Sequence, residues 1–315
     1  MKNSTEHEEC RWENNFFISR DILIALTCFA IVIGLFAALG NGLVLLTIAR
    51  KSSVRSTHIF FIGSLAMADF SVGFITIPFY STSSLTWPLL LKNDYFEMVF
   101  DFLIFQCLAA STYSLLAVSY DRFVAITSPL TYAVTMTDKR CYRYISLVWF
   151  ISMLLGSSSF MVNDYNYRPS IYLVVICSAF IIPFCLIAYF YAIIFKIARQ
   201  QARQIALESI SMETMEDPKV EQRQRAKRER KAAMTVAMVI GTFAVCWLPN
   251  LVIGVVHFAV STFSECEAEK TEQFWLATLP FAFLNSAINP VIYTVRQEDL
   301  REPLKEMVKS WLGIE

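Results

Sequence analysis

Asp94-Tyr95-Phe96-Glu97-Met98-Val99-Phe100-Asp101, then the uncharged run Phe102 to Tyr120, then Asp121-Arg122-Phe123-Val124-Ala125-Ile126, is the stretch that decides the fold. A run of about 20 uncharged residues matches the hydrocarbon thickness of a bilayer when coiled as a helix. Acids gather at its start and an acid–base pair closes its end. One end of such a rod meets cations, and the other holds an arginine where a partner can reach it.

The rest of the chain repeats this pattern. It is 315 residues long, 56% hydrophobic and only 17% charged, where a soluble protein carries roughly 25% charged residues. Six further apolar runs lie at Ile22 to Ala49, Thr57 to about Tyr80, Tyr144 to Val162, Ser170 to Phe195, Ala232 to Ser264 and Gln273 to Val295. Each is long enough to span a membrane as a helix, the form that satisfies its own backbone in lipid. The fold class expected is therefore an all-α membrane protein, a seven-transmembrane helix bundle. Arg296 to Leu312 alternates charge with Leu300, Leu304, Met307, Val308 and Trp311, the pattern of an amphipathic helix lying along the membrane. Residues 1–20 read as an extracellular segment, 21–295 as the membrane domain and 296–315 as a cytoplasmic helix and tail.

Orientation follows from lysine and arginine. The links after the first, third and fifth runs hold Arg50, Lys51 and Arg55, then Lys139, Arg140 and Arg143, then a cluster from Arg223 to Lys231. The other links hold only Lys92, Arg168 and Lys270. The positive-inside rule places the N-terminus outside and the C-terminus inside. The segment from about Gln200 to Arg225 reads as a flexible inner loop, with an earlier start of the sixth helix, as a basic helix near Arg225, as the alternative to a start at Ala232. The outer links and the N-terminal segment are acidic, either as a solvated surface or as a funnel for cations.

Several functions are excluded. Net charge is zero, which points to no nucleic-acid partner. Asp69 is the one acid deep within a run, and no serine–histidine pair is present, so an intramembrane protease lacks its groups. The repeats of transporters and the polar rings of channels are not evident. The three histidines and eight cysteines show no zinc spacing. Only Cys10 and Cys266 fall in outer segments. Asn3-Ser4-Thr5 is a glycosylation sequon. No cleavable leader is evident, because the first residues are polar and acidic.

Polar groups inside the runs are the functional candidates. A carboxylate at mid-membrane costs about 2.5–3.5 kcal/mol on insertion scales unless it is satisfied. Asp69, Asn41, Ser111, Asn285, Ser286 and Asn289 can form one hydrated pocket for a small cation; Asp69 protonated or hydrogen-bonded for packing is the plainer reading. Pro78, Pro183, Pro249 and Pro290 each remove a backbone hydrogen bond inside a run. Kinked helices around a polar pocket suggest a bundle with two arrangements.

Gly40-Asn41, Leu65 to Asp69, Asp121-Arg122-Phe123, Trp149, Pro183 with Tyr191, Phe243 to Pro249 and Asn289-Pro290-Val291-Ile292-Tyr293 occur in order, each on its proper run. Together they resemble the rhodopsin-like (class A) G-protein-coupled receptors over about residues 20 to 312, near the melanocortin, adenosine and lipid receptors. The resemblance implies a plasma-membrane receptor that turns binding of an extracellular ligand into activation of a heterotrimeric G protein. It implies that Arg122 pairs at rest with Asp121 and Glu229, then is freed toward Tyr191 and Tyr293 as the sixth helix swings about Pro249. It implies a relay of Pro183, Phe243 and Trp247, with Thr112 in the third place, and an Asn289-Pro290 hinge. It implies a sodium site at Asp69, Ser111, Asn285, Ser286 and Asn289, with no other cofactor, and a G-protein contact at Pro129 and Leu130.

Departures from the family pattern narrow the ligand. Glu97 stands where most members have a bridging cysteine, and a bridge between Cys10 and Cys266 is what the melanocortin-like group implies instead. Ile104 replaces the aspartate of amine receptors and Phe283 the lysine of opsins. Gly254 lacks the amide that adenosine receptors use. Glu97 and Asp101 resemble the acidic pair of melanocortin receptors, although Phe79 stands in place of a third calcium ligand. The resulting expectation is a cationic peptide or amine, with a nucleoside or a lipid as the alternative and a transporter or channel as the remote class.

Overall fold

In a computed structural model, residues 18–50, 57–86, 94–161, 168–211, 219–260, 265–296 and 298–312 are described, with backbone only at 94, 168–170, 198, 201–211, 219–233, 235–236, 258, 260, 265–270, 293, 295–296, 298–299 and 311–312. All regular structure among them is helical. Helix α1 is Arg20–Arg50, α2 is Thr57–Leu85, α3 is Asp94–Thr127 and α4 is Asp138–Met161. Helix α5 runs as Arg168–Ile176, Cys177–Ile181 and Ile182–Ser211; α6 is Lys219–Val260, α7 Glu265–Arg296 and α8 Glu298–Leu312. Seven of these, α1 to α7, are long and apolar enough to cross a membrane.

Burial is arranged for lipid rather than water. Every residue from Ile104 to Thr112 on α3 is buried, so the quoted rod is wrapped on all sides. On α1 and α4 the large apolar side chains Phe36, Leu39, Phe150 and Leu154 point outward, while Asn41, Asp69, Asn285 and Asn289 are closed off inside. A water-soluble fold would reverse both choices.

Two of the four kink prolines come with a widened turn. The π segment Val72–Thr76 precedes Pro78, and the π segment Cys177–Ile181 precedes Pro183. Each contains the residue four before the proline, Phe74 or Ala179, whose carbonyl the proline ring would otherwise strike. The first widened turn also brings α2 hard against α1. A Cβ on Gly73 would lie 2.6 Å from the Gly34 carbonyl and 2.7 Å from the Ala38 nitrogen, a backbone approach that only glycine permits.

Helix ends differ from the hydropathy reading. Helix α4 begins at Asp138, not Tyr144, because Lys139, Arg140 and Arg143 continue the coil beyond the apolar run. The expected loop from Gln200 to Arg225 is largely helix, since α5 continues to Ser211 and α6 starts at Lys219. Hydropathy marks the part of a helix that lipid covers, while charged turns outside it keep the same backbone bonds. Helix α8 docks by its apolar face. Leu300 and Met307 are buried, and the Met307 sulfur lies 3.9 Å from the Thr47 hydroxyl on α1.

Candidate functional site

Four polar or aromatic assemblies line the bundle along α3. At its Arg122 end, the Asp121 carboxylate is fully buried and its oxygens are all claimed. Oδ2 accepts from Arg122 Nη2 at 2.6 Å and Nε at 2.9 Å. Oδ1 accepts from the Tyr132 hydroxyl at 2.7 Å. Tyr132 belongs to a single helical turn, Tyr132–Thr135, between α3 and α4. Its hydroxyl also meets Thr57 Oγ1 at 3.1 Å, and His58 Nδ1 on the same turn of α2 lies 3.4 Å from Asp121 Oδ2. Burial first, and then the neighbouring carboxylate, push the Tyr132 hydroxyl up to about 12. It therefore remains a proton donor throughout the physiological range.

This cluster joins α2, α3 and the α3–α4 link through one acid. The roles of Tyr132, Thr57 and His58 were not apparent from spacing, because a contact between chain positions 58 and 121 leaves no local pattern. The available signal was chemical: a carboxylate buried at a helix end needs more partners than one arginine supplies. Tyr191 is buried nearby on α5, beside Ser119 of α3. Pro129 and Leu130 sit on the exposed bend after α3, with Leu130 96% exposed.

Halfway along, Asp69 on α2 is fully buried. Ser286 Oγ donates to its Oδ1 at 2.8 Å and Asn289 Nδ2 to its Oδ2 at 2.7 Å; Ser111 on α3 bonds the same side chain. Asn41 Nδ2 on α1 bridges the Ala37 and Ser286 carbonyls, each at 2.9 Å. Asn41, Asp69, Ser111, Ser286 and Asn289 are thus brought together from α1, α2, α3 and α7. Among the described residues, Asn41 Oδ1, Asn289 Oδ1 and both polar atoms of Asn285 are buried without hydrogen-bond partners. A carboxylate ringed by unclaimed oxygens is the donor set that a hard cation takes.

Above this pocket, rings stack across α5 and α6. Phe180 and Phe184 lie 6.0 Å and 5.6 Å from Phe243, which is 6.0 Å from Trp247. Thr112 is buried beside them on α3, its hydroxyl bonded to the Leu108 carbonyl at 2.7 Å.

At the Asp101 end, Glu97 and Asp101 are half-buried one turn apart on α3. Phe79 stacks on Phe96 at 5.9 Å, so an apolar pair stands beside Glu97. Ile104 and Phe283 are buried, and Phe283 meets Tyr80 edge-on at 5.6 Å. Phe100 meets Trp275 at 6.3 Å, and Phe105 meets Tyr172 at 5.9 Å. Asn250 Nδ2 on α6 reaches the Trp275 carbonyl at 3.0 Å and Thr278 Oγ1 at 2.9 Å. His257 Nδ1 lies 3.0 Å from Thr271 Oγ1, so the ends of α6 and α7 are clipped together twice. Asn3 and Cys10 lie outside the described residues, as do the side chains of Glu229, Cys266 and Tyr293, whose backbones belong to α6, α7 and α7.

Seven membrane-length helices around a polar axis, with an acid–arginine pair at one end and an aromatic chamber at the other, define a class of receptor. A family profile described as 7 transmembrane receptor (rhodopsin family) matches residues 40–293. The chain belongs to that family, and it is a G-protein-coupled receptor, not an enzyme. It is 32% identical to human (Homo sapiens) trace amine-associated receptor 9 over 92% of this chain and 85% of the relative. It is 27% identical to the adenosine receptor A2b of Gallus gallus, over 90% of this chain and 87% of the relative. Human adenosine receptor A2a is 28% identical over 89% of this chain and 71% of its own length.

Proposed function

We propose that this receptor faces its Asp101 end outward, binds a cationic amine or peptide there, and signals through the cluster at Arg122. The observation that carries the ligand reading is the pair Glu97 and Asp101. They lie four residues apart on one face of α3, half-buried at the entrance to an aromatic chamber. Carboxylates above rings suit a cation, which gains both an ion pair and cation–π attraction. The likeness to a trace amine-associated receptor supports an amine. Orientation is supported by the lysines and arginines of the links at the Arg122 end.

In this reading the Asp121–Arg122–Tyr132 cluster holds the resting form. Arg122 suits a latch because its charge persists in every environment. A ligand that binds the open form more tightly shifts the population, bends α6 about Pro249 and opens Arg122 to a G protein that also meets the already exposed Pro129 and Leu130. A sodium ion fits at Asp69, held with oxygens of Ser111, Asn285 and Asn289; it would neutralise the buried carboxylate and favour the resting packing.

A nucleoside ligand is the second reading, favoured by the likeness to adenosine receptors. Both are tested together. Cells expressing the chain are challenged with amines, cationic peptides, nucleosides and lipids while cyclic AMP and calcium are recorded. Glu97→Gln with Asp101→Asn is expected to abolish the response to a cation and to spare a nucleoside or lipid response. A cation response that survives the double substitution unchanged refutes the acidic entrance.

A further inference from the structure

Tyr172, on α5, sits in a place that another helix leaves open for it. A Cβ built on Gly254 of α6 would collide with the Tyr172 hydroxyl, lie 2.6 Å from its Cζ, and stand 3.1 Å from Trp275 Nε1 of α7. The phenol tip therefore fills a notch in α6 that exists only because residue 254 has no side chain. The ring is held from the other side by Phe105 of α3, and Asp101 is within its electrostatic reach. Trp275 is in turn edge-on to Phe100 of α3 and stacked with His257 of α6, at 6.3 Å in each case. Tyr172, Trp275, Phe100 and Phe105 are all buried.

These four rings come from α3, α5 and α7, and the notch adds α6. They fill the core next to the acidic entrance at Asp101, at the level of Ile104, which lies between Phe100 and Phe105 on α3 and is itself buried. A rigid ring can leave by one χ1 rotation, while α6 and α7 stay joined through the Asn250 and His257 contacts. Gly254 also lies five residues beyond Pro249, so a bend at that proline moves the notch relative to Tyr172.

We propose that Tyr172 is a built-in plug: seated in the Gly254 notch it blocks the chamber, and a ligand gains entry by displacing it. The plug is set by the fit of one phenol to one glycine. Filling the notch should expel the ring as effectively as removing the ring itself.

The test is access to residue 104, buried within the ring layer between Phe100 and Phe105. Ile104→Cys receptor is purified in lipid nanodiscs, where both faces meet solvent, and treated with a charged thiosulfonate reagent. Labelling at residue 104 is timed by mass spectrometry, which separates it from the native cysteines. Added Gly254→Ala or Tyr172→Ala is expected to speed labelling about tenfold or more, as a minor open form becomes the main one. Tyr172→Phe, which keeps the ring but loses the tip, should fall between. A Leu115→Cys reporter, deeper on α3, should stay slow in every background. Unchanged labelling at residue 104 with both Gly254→Ala and Tyr172→Ala overturns the plug. So does equal acceleration at residue 115, which would mean general loosening of the bundle. The two substitutions act on different helices, so failure of one to fold leaves the other decisive.

Discussion

Asp121 and Asp69 are both fully buried carboxylates in the same bundle, yet the protein treats them in opposite ways. Around Asp121 the chain supplies a guanidinium, a phenol and an imidazole, all within 3.4 Å. Around Asp69 the described residues supply neutral donors, and the buried amide oxygens of Asn41 and Asn289 have no partner among them. The first arrangement is complete in itself and stabilises one packing of α2 against α3. The second has spare acceptors, and in the proposed reading it is a socket for a cation. The difference teaches that burying an acid is not one device. The partner set decides whether the acid is a clamp or a socket.

The comparison breaks most severely if the clamp loses its acid. Asp121→Ala takes the carboxylate away from the buried Arg122, and breaking such a pair costs about 3–5 kcal/mol. The expected outcome is a marked fall in melting temperature, with raised G-protein turnover in the absence of ligand in the protein that does fold. Tyr132→Phe removes one hydrogen bond to a charged acceptor, worth about 1.5–3 kcal/mol. It should raise ligand-independent turnover less than Asp121→Ala and lower the melting temperature modestly. Equal turnover in Tyr132→Phe and the parent would show that the phenol takes no part in the latch.

Asp69→Asn sharpens the contrast, since it keeps the shape of the socket and removes its charge. The parent should melt higher in sodium chloride than in the same concentration of choline chloride, by mass action on the folded state. That difference should vanish in Asp69→Asn, with a change in choline chloride of about 1 kcal/mol or less. A sodium effect that persists would place the ion elsewhere.

The smallest expected effect concerns protons. Tyr132 has an ordinary value of 10.0 and is held at about 12 when folded. Because the folded value is the higher one, the phenol's share of stability is complete below the ordinary value. It fades only as pH climbs through the folded one. Spectrophotometric titration should show one late-titrating tyrosine fewer in Tyr132→Phe, and Tyr132 should confer no pH dependence near neutrality.

Much of this was legible in the sequence because the bilayer imposes a simple code. A run such as Phe102 to Tyr120 has one stable form in lipid, and Asp69 within such a run must be held by something. The set Asn41, Ser111, Asn285, Ser286 and Asn289 could be nominated because polar groups inside spans are few. The helix ends were less legible. Lys139 and Arg143 read as a link but belong to α4, and the turns from Gln200 to Ser211 read as a loop but continue α5. Hydropathy records where lipid is, and helical hydrogen bonding does not stop there. His58, Thr57 and Tyr132 were illegible as partners of Asp121, for each is an ordinary residue at a helix end until folding brings the ends together.

The amino-acid order alone determined the number of spans, the polar axis and the receptor family, because length and apolarity suffice to place a helix in a membrane. Tertiary structure alone decided which side chains meet: Tyr132 with Asp121, Asn41 with Ser286, the Tyr172 hydroxyl with the space over Gly254. Those pairings join residues up to 245 positions apart, and they depend on the rotation and tilt of whole helices. That geometry is set by the packing of every neighbour at once, not by any stretch of chain read by itself.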